Sequence, residues 1–148
     1  MGRRTKAREC AFQILYQWQV TGERIEAVVA SFWKVRSATP EARALAERLA
    51  RGAQGKAEAL DAEIAEAATN WRLERIAPID RTILRLGAYE LWDEAATPAA
   101  VVIDEAVELA KRFGDEGSPA FVNGVLDAIR KKLRGEGARD PEGAKQER

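Results

Sequence analysis

The amino-acid sequence predicts an all-α fold of six to seven helices, and three observations predict it. Apolar residues recur three and four apart through most of the chain, the spacing of one helix face. No segment alternates apolar and polar residues over a strand's length. Ser/Thr-Pro pairs and glycines punctuate the periodic stretches where helices start and stop. No repeat of roughly 20 to 50 residues appears, which excludes a solenoid.

The first helix is predicted from about Arg4 to Val20, because Ala7, Cys10, Ala11, Ile14, Leu15 and Trp18 form one stripe and Thr21-Gly22 ends it. A shorter helix follows over Ile25 to Val35. Thr39, Pro40 and Glu41 read as N-cap, first helical position and favourable first-turn acid. They open a long helix through Leu45, Leu49, Ala53, Ala57, Leu60 and Ile64. A turn over Trp71 to Arg75 leads to a helix from Pro78 to about Trp92. There Ile79, Ile83, Leu84, Leu86, Gly87, Ala88 and Leu91 cover most of the circumference, so it should be the central, most buried helix. Thr97-Pro98 and Ser118-Pro119 open two more, closed at Gly114 and Gly135. Residues 1–134 thus read as a single helical domain. The charged, glycine-rich stretch 135–148 reads as a disordered tail.

A chain of 148 residues suits one domain, which buries roughly 70% of the surface its unfolded form exposes. Hydrophobic residues at 46% and charged residues at 32% fit a globular protein and exclude a disordered one. No apolar run approaches the roughly 18 to 20 residues of a membrane span, and MGRRTKAREC has no secretory apolar stretch behind it, so a cytoplasmic location is expected. The lone Cys10 falls on the apolar stripe and reads as a buried thiol.

Catalysis is disfavoured. The chain has no histidine, the commonest general base and metal ligand near neutral pH, and one cysteine makes a zinc site implausible. Carboxylates mostly stand four residues from lysines and arginines, as on a solvated helix face. Gly52-Ala53-Gln54-Gly55-Lys56 superficially resembles a phosphate loop, but it lacks the spacing, the following Ser/Thr and a preceding strand. Close helix packing explains those glycines better. No cofactor and no metal are expected.

Charge distribution says more than net charge, because 24 basic residues balance 24 acidic ones. Arg3, Arg4, Lys6 and Arg8 crowd the start of the first helix without an acid, and Arg130, Lys131, Lys132 and Arg134 form a second cluster. Between Glu90 and Glu116, eight acids stand against Lys111 and Arg112. A helix N-terminus carries about half a positive charge, and each cation there costs about 0.3 to 1 kcal/mol at low salt. An anionic ligand relieves that conflict. Arg4, Arg8, Phe12 and Tyr16 form one i+4 row beside the buried stripe, so cations lead to aromatics, a pairing suited to single-stranded RNA. The alternative is that the row solubilises the helix while Phe12 completes the core. Phe121 lies about a quarter turn off the last helix's stripe of Val122, Val125, Leu126, Ile129 and Leu133. It reads as an exposed aromatic or a core edge, with Ser118 and Asn123 nearby to meet a phosphate or a base edge.

The segments RRTKARECAFQILYQWQ, IDRTILRLGAYEL and TPAAVVIDEAVELAKRFGDEGSPAFVNGVLD together resemble the NusB family of bacterial transcription antitermination factors. The resemblance covers most of residues 3 to 134. It implies two perpendicular three-helix bundles, no enzymatic activity, and binding of boxA leader RNA together with NusE, a protein also found in the small ribosomal subunit. It places RNA contacts on Arg3, Arg4, Lys6 and Arg8 and on the FVNG segment, Phe121 to Gly124. It places NusE contacts on Asp80, with Glu74 and Tyr16 beside it. An acidic patch meeting a basic ribosomal protein is electrostatically sensible. Lys6 interrupts the family's arginine series, and Gly117-Ser118-Pro119 lacks bulky polar side chains.

The function so implied is that of an RNA adaptor in the RNA polymerase antitermination complex, supporting transcription of ribosomal RNA operons. Two other readings stay open. A similar helical domain begins some ribosomal RNA cytosine methyltransferases, although nothing after Gly135 could build the cofactor domain such enzymes need. A protein-only adaptor would dock the basic helix on an acidic partner. The sequence also leaves open a homodimer that hides the basic face.

Overall fold

The computed structural model describes residues 2–93 and 97–135. Among these residues there are seven α-helices and no strand: α1 (Arg3–Thr21), α2 (Ile25–Val35), α3 (Pro40–Gly55), α4 (Ala57–Ala67), α5 (Pro78–Asp93), α6 (Ala99–Phe113) and α7 (Ser118–Leu133), with a 3₁₀ turn at Leu73–Arg75 between α4 and α5. The all-α class and the helix count agree with the sequence. All but the first residue of the expected tail, and Glu94 of the acidic region, lie outside the described residues.

Helices α1, α2 and α3 pack together, α5, α6 and α7 pack together with α4 laid against α5 and α7, and α5 touches α1 and α3 as well. That central place matches its composition: Asp80 and every residue from Thr82 to Glu90 are buried. The core is continuous across both groups, from Ile14 and Leu15 of α1 through Leu49 of α3 and Leu84 of α5 to Leu126 and Ile129 of α7. No helix among the described residues is long and apolar enough to cross a membrane.

Local chemistry fixes most boundaries. The Thr39 hydroxyl accepts the Ala42 N–H at 3.1 Å, with Pro40 in the first turn. Gly22 closes α1 at φ +74°, a left-handed conformation costly for other residues, and donates to the Trp18 carbonyl at 3.0 Å. Two starts shift by one residue. Pro98 is the cap residue of α6 rather than its first helical position. Ser118 is the first residue of α7, and its hydroxyl accepts the Asp115 N–H at 3.0 Å instead of capping the helix.

The long helix expected from Pro40 to beyond Ile64 is instead two. Lys56 leaves helical geometry at φ −112°, ψ 18°, after a last turn weakened by Gly52 and Gly55. The break lets α3 line α1 with Ala42, Ala46, Leu49 and Ala53 while α4 turns Leu60 and Ile64 toward α5 and α7. Gly52 serves packing, as expected: a methyl group there would run into the hydroxyl and ring of Tyr89 on α5.

A polar network joins the two groups of helices. Asp61 of α4 takes both the Nε and Nη2 of Arg85 on α5, at 2.8 and 2.7 Å, and Arg81 Nη2 at 3.2 Å. Arg85 Nη1 also donates to Gln19 of α1 at 2.9 Å. Arg85 thus satisfies a carboxylate and an amide from different helices with one planar fork.

Candidate nucleic-acid interface

The first turn of α1 contains no acid, so the cations predicted there stand on a helix end whose dipole disfavours them. Arg4 is exposed and Lys6 half-buried. The side chain of Arg3 lies outside the described residues. Arg4, Gly2 and Arg48 line an open groove of about 760 Å³ between α1 and the start of α3, with Glu41 in it. Arg48 was not foreseen, because α3 reads by itself as an ordinary amphipathic helix.

Arg8 corrects the sequence reading. It is 3% exposed and gives Nε and Nη2 to the carboxylate of Glu90 on α5, each at 2.9 Å. Glu105 of α6 approaches its Nη1 at 4.0 Å. A guanidinium neutralised inside the core is not available to a phosphate, so among the described side chains the accessible positive charge at this end is that of Arg4 and Lys6. Phe12 is likewise buried, 5.0 Å from the ring of Phe113 on α6 and 6.2 Å from Tyr16. The alternative stated for it, completion of the core, is what the structure has. Of the i+4 row, only Arg4 is exposed and Tyr16 partly so.

The FVNG segment divides between two surfaces. Phe121 is half-buried and meets Trp71 edge to face, centroids 5.8 Å apart, in a cleft of about 530 Å³. Trp71, Arg75, Ile76 and Ala77 form one wall, Asp115 to Gly117 and Phe121 the other, and Asp80 also lines it. Asn123 is exposed elsewhere, in a shallow groove with Asp104 and Arg130 between α6 and α7. Ser118 is 2% exposed and its hydroxyl lies within 3.1 Å of Asp115 Oδ1, so the side chain proposed to meet RNA is instead spent on the α6–α7 connection.

Asp80 is also more enclosed than a partner-docking acid should be, at 8% exposed, and lines the cleft. Burial pushes its carboxyl above the ordinary value, Ser118 opposes this by hydrogen bonding, and nearby Asp115 adds to it. A raised folded-state pKa means that the folded protein binds the proton more tightly than the unfolded chain, so stability falls as pH rises from about 4 through the raised value. Asp80→Asn is therefore expected to raise the melting temperature at pH 7, a gain that fades below about pH 4. Thermal melts of both proteins from pH 3 to 8 check it. Glu74 is exposed in the 3₁₀ turn, consistent with a contact role.

The second basic cluster is paired within the chain. Arg130 and Lys131 reach Asp127 at 2.6 and 3.3 Å, and Lys132 bridges to Glu63 and Glu66 of α4 at 3.2 and 2.6 Å. Sequence reasoning passed over Trp71, whose indole is 53% exposed. The signal for it was present: a tryptophan in a short turn flanked by Arg72 and Arg75 has no helix face to hide it.

The chain as a whole is similar to known proteins. The model of the NusB family matches residues 5–131. The transcription antitermination protein NusB of Sorangium cellulosum is 50% identical over 133 residues, covering 90% of this chain and 95% of that protein. The solved NusB of T. maritima shares 36% identity at a TM-score of 0.80, over 89% of this chain and 92% of that one. A chain in the crystal structure of antitermination factors NusB and NusE in complex with double-stranded RNA matches at a TM-score of 0.82 and 31% identity, over 89% of this chain and 98% of that one. The cationic helix start, the central buried helix and the FVNG segment stand in a chain that belongs to the NusB family.

Proposed function

We propose that this chain is a non-enzymatic RNA-binding transcription antitermination factor of the cytoplasm, taking boxA leader RNA together with NusE within the RNA polymerase antitermination complex. Residues 1–134 act as its single functional domain. The observation that carries the reading is the accessible positive charge of Arg4 and Lys6 on a helix start with no acid in its first turn. Family membership and the likeness to a NusB chain solved with NusE and RNA support it. Tyr16 and Glu74 are accessible enough to meet a protein partner, and the acids around the α6–α7 connection suit a basic one.

Each phosphate neutralised on a single strand contributes about 0.7 to the slope of log affinity against log salt. With Arg8 withdrawn into the core, Arg3, Arg4 and Lys6 account for a slope near −2. The double variant Arg4→Ala/Lys6→Ala is expected to reduce that slope by about 1.4 and weaken boxA RNA binding with and without NusE. Fluorescence titrations between 50 and roughly 300 mM salt measure both. An unchanged slope and affinity would overturn the reading. Ribonuclease-treated pull-downs that retain every partner, with no shift of boxA RNA, would favour a protein-only adaptor instead.

A further inference from the structure

We propose that the cleft between the α4–α5 connection and the start of α7 is a nucleobase slot that prefers a base carrying an exocyclic amine. The inference rests on the RNA-binding reading above and adds to it a place where one base is read.

Three observations carry it. The first is a buried carboxylate with one oxygen left without a donor. Asp80 is more than nine-tenths buried, lines the cleft, and its Oδ1 has no hydrogen-bond partner. Ser118 is the neighbouring hydroxyl, but its one hydrogen is contested, because Asp115 Oδ1 lies 3.1 Å from the same oxygen. A carboxylate only accepts, so what completes this site must donate. Adenine, cytosine and guanine present amino hydrogens on their pairing edges, whereas uracil presents two carbonyl oxygens and a single N–H.

The second observation is the aromatic wall. Trp71 meets Phe121 at 66° rather than in a parallel stack, and is 53% exposed, so much of the indole is open to water. An exposed indole beside Ile76 and Ala77 is a platform for a flat ring. The cleft's volume of about 530 Å³ falls within the usual range for small-ligand sites.

The third is the division of charge. Arg72 and Arg75 stand exposed on the Trp71 side, while Asp115 and Glu116 stand exposed on the other. Phosphates are drawn to the first side and repelled from the second. The strand must then run along the 3₁₀ turn with its base edge directed inward to Asp80. A fully cationic groove would hold a backbone without orienting it; this one imposes a direction.

The test uses the full chain and four dye-labelled ribo-heptamers, six uridines with A, C, G or U at the centre, followed by fluorescence anisotropy. At least one amine-bearing heptamer is expected to bind about 10-fold tighter than the all-uridine one. Asp80→Asn should shrink that preference to under about threefold while the protein stays folded. Trp71→Ala should weaken the preferred heptamer about 10-fold, and Trp71→Phe should restore most of it. Trp71 is exposed, so an unchanged melting temperature separates stacking from a structural defect. Equal binding of all four heptamers by the wild type, or a base preference that survives both variants, overturns the slot. If that happens while Arg4→Ala/Lys6→Ala still weakens every heptamer, RNA binding stands without the slot. If the wild type binds no heptamer, both fail. Quenching of Trp71 by N-acetylarginine amide, with no base preference, would instead make the cleft a socket for a partner protein's arginine and would also overturn the proposal.

Discussion

Glu90→Ala is expected to destabilise the protein by roughly 3–5 kcal/mol, because it leaves the guanidinium of Arg8 buried without its counter-charge. Arg8 and Glu90 are 3% exposed each, and the adjoining cavity of about 10 Å³ has room for at most one water. Glu105, 4.0 Å away, is too distant to take over the bidentate hydrogen bonds. Urea unfolding followed by far-ultraviolet circular dichroism measures the loss. The double variant Arg8→Met/Glu90→Leu removes both charges, and should recover most of what the single variant loses, since an apolar pair of similar volume avoids the desolvation cost. If it also retains RNA affinity, Arg8 acts by building the fold and not by touching RNA.

Asp61→Ala should cost about 3 kcal/mol at pH 7, near the low end for a broken buried pair because Asp61 keeps 18% exposure. It strips Arg85, 8% exposed, of two hydrogen bonds and Arg81 of one. The wild-type protein should show the same interaction through pH. Burial of Asp61 opposes its ionisation, but hydrogen bonds and charge from Arg85 and Arg81 outweigh burial and hold its carboxyl below the ordinary value. A depressed folded-state pKa gives stability that is fully present above the unfolded value of about 4, and lost as pH falls through the lower folded one. Melting temperatures of wild type and Asp61→Ala should therefore differ most above pH 5 and converge in stronger acid. A difference that is constant from pH 7 to 2 would mean that packing, not charge, accounts for the loss.

The sequence was most legible where period and punctuation agree. The bounds of α2 and the end of α1 follow from an apolar stripe closed by a turn residue, and α5 is recognisable because it is apolar all round. The α3–α4 break was only half legible: Gly52 and Gly55 weaken the helix there, but apolar spacing continues through them and glycine inside a periodic stretch does not by itself end a helix. What bends the chain there is the need of Leu60 and Ile64 to meet helices not yet made when the sequence is read.

The candidate site was legible as composition and only partly as geometry. A helical projection places Arg8 and Phe12 at the edge of the stripe, but it cannot tell which edge a third helix will cover. Glu90 stands 82 residues from Arg8 and Phe113 lies in α6, so both burials are tertiary events. Asp80 was read as an outward acid for the same reason: its enclosure comes from the α6–α7 connection, far along the chain. Phe121 and Asn123, two apart on one helix, were grouped although that spacing turns them to different surfaces.

The start of α1 is fastened at three successive levels: Thr5 to Glu105 at 3.2 Å, Arg8 to Glu90, and Glu9 to Arg112 at 2.6 Å. The positive groups are consequently carried by a rod bolted to its neighbours rather than by a loose arm. Such a rod surrenders little backbone motion on meeting a polyanion, and the ordering penalty falls on the nucleic acid and on the cationic side chains themselves. Sequences that already adopt a fitting backbone path should then be captured faster and held longer than equally charged ones that must be bent into place.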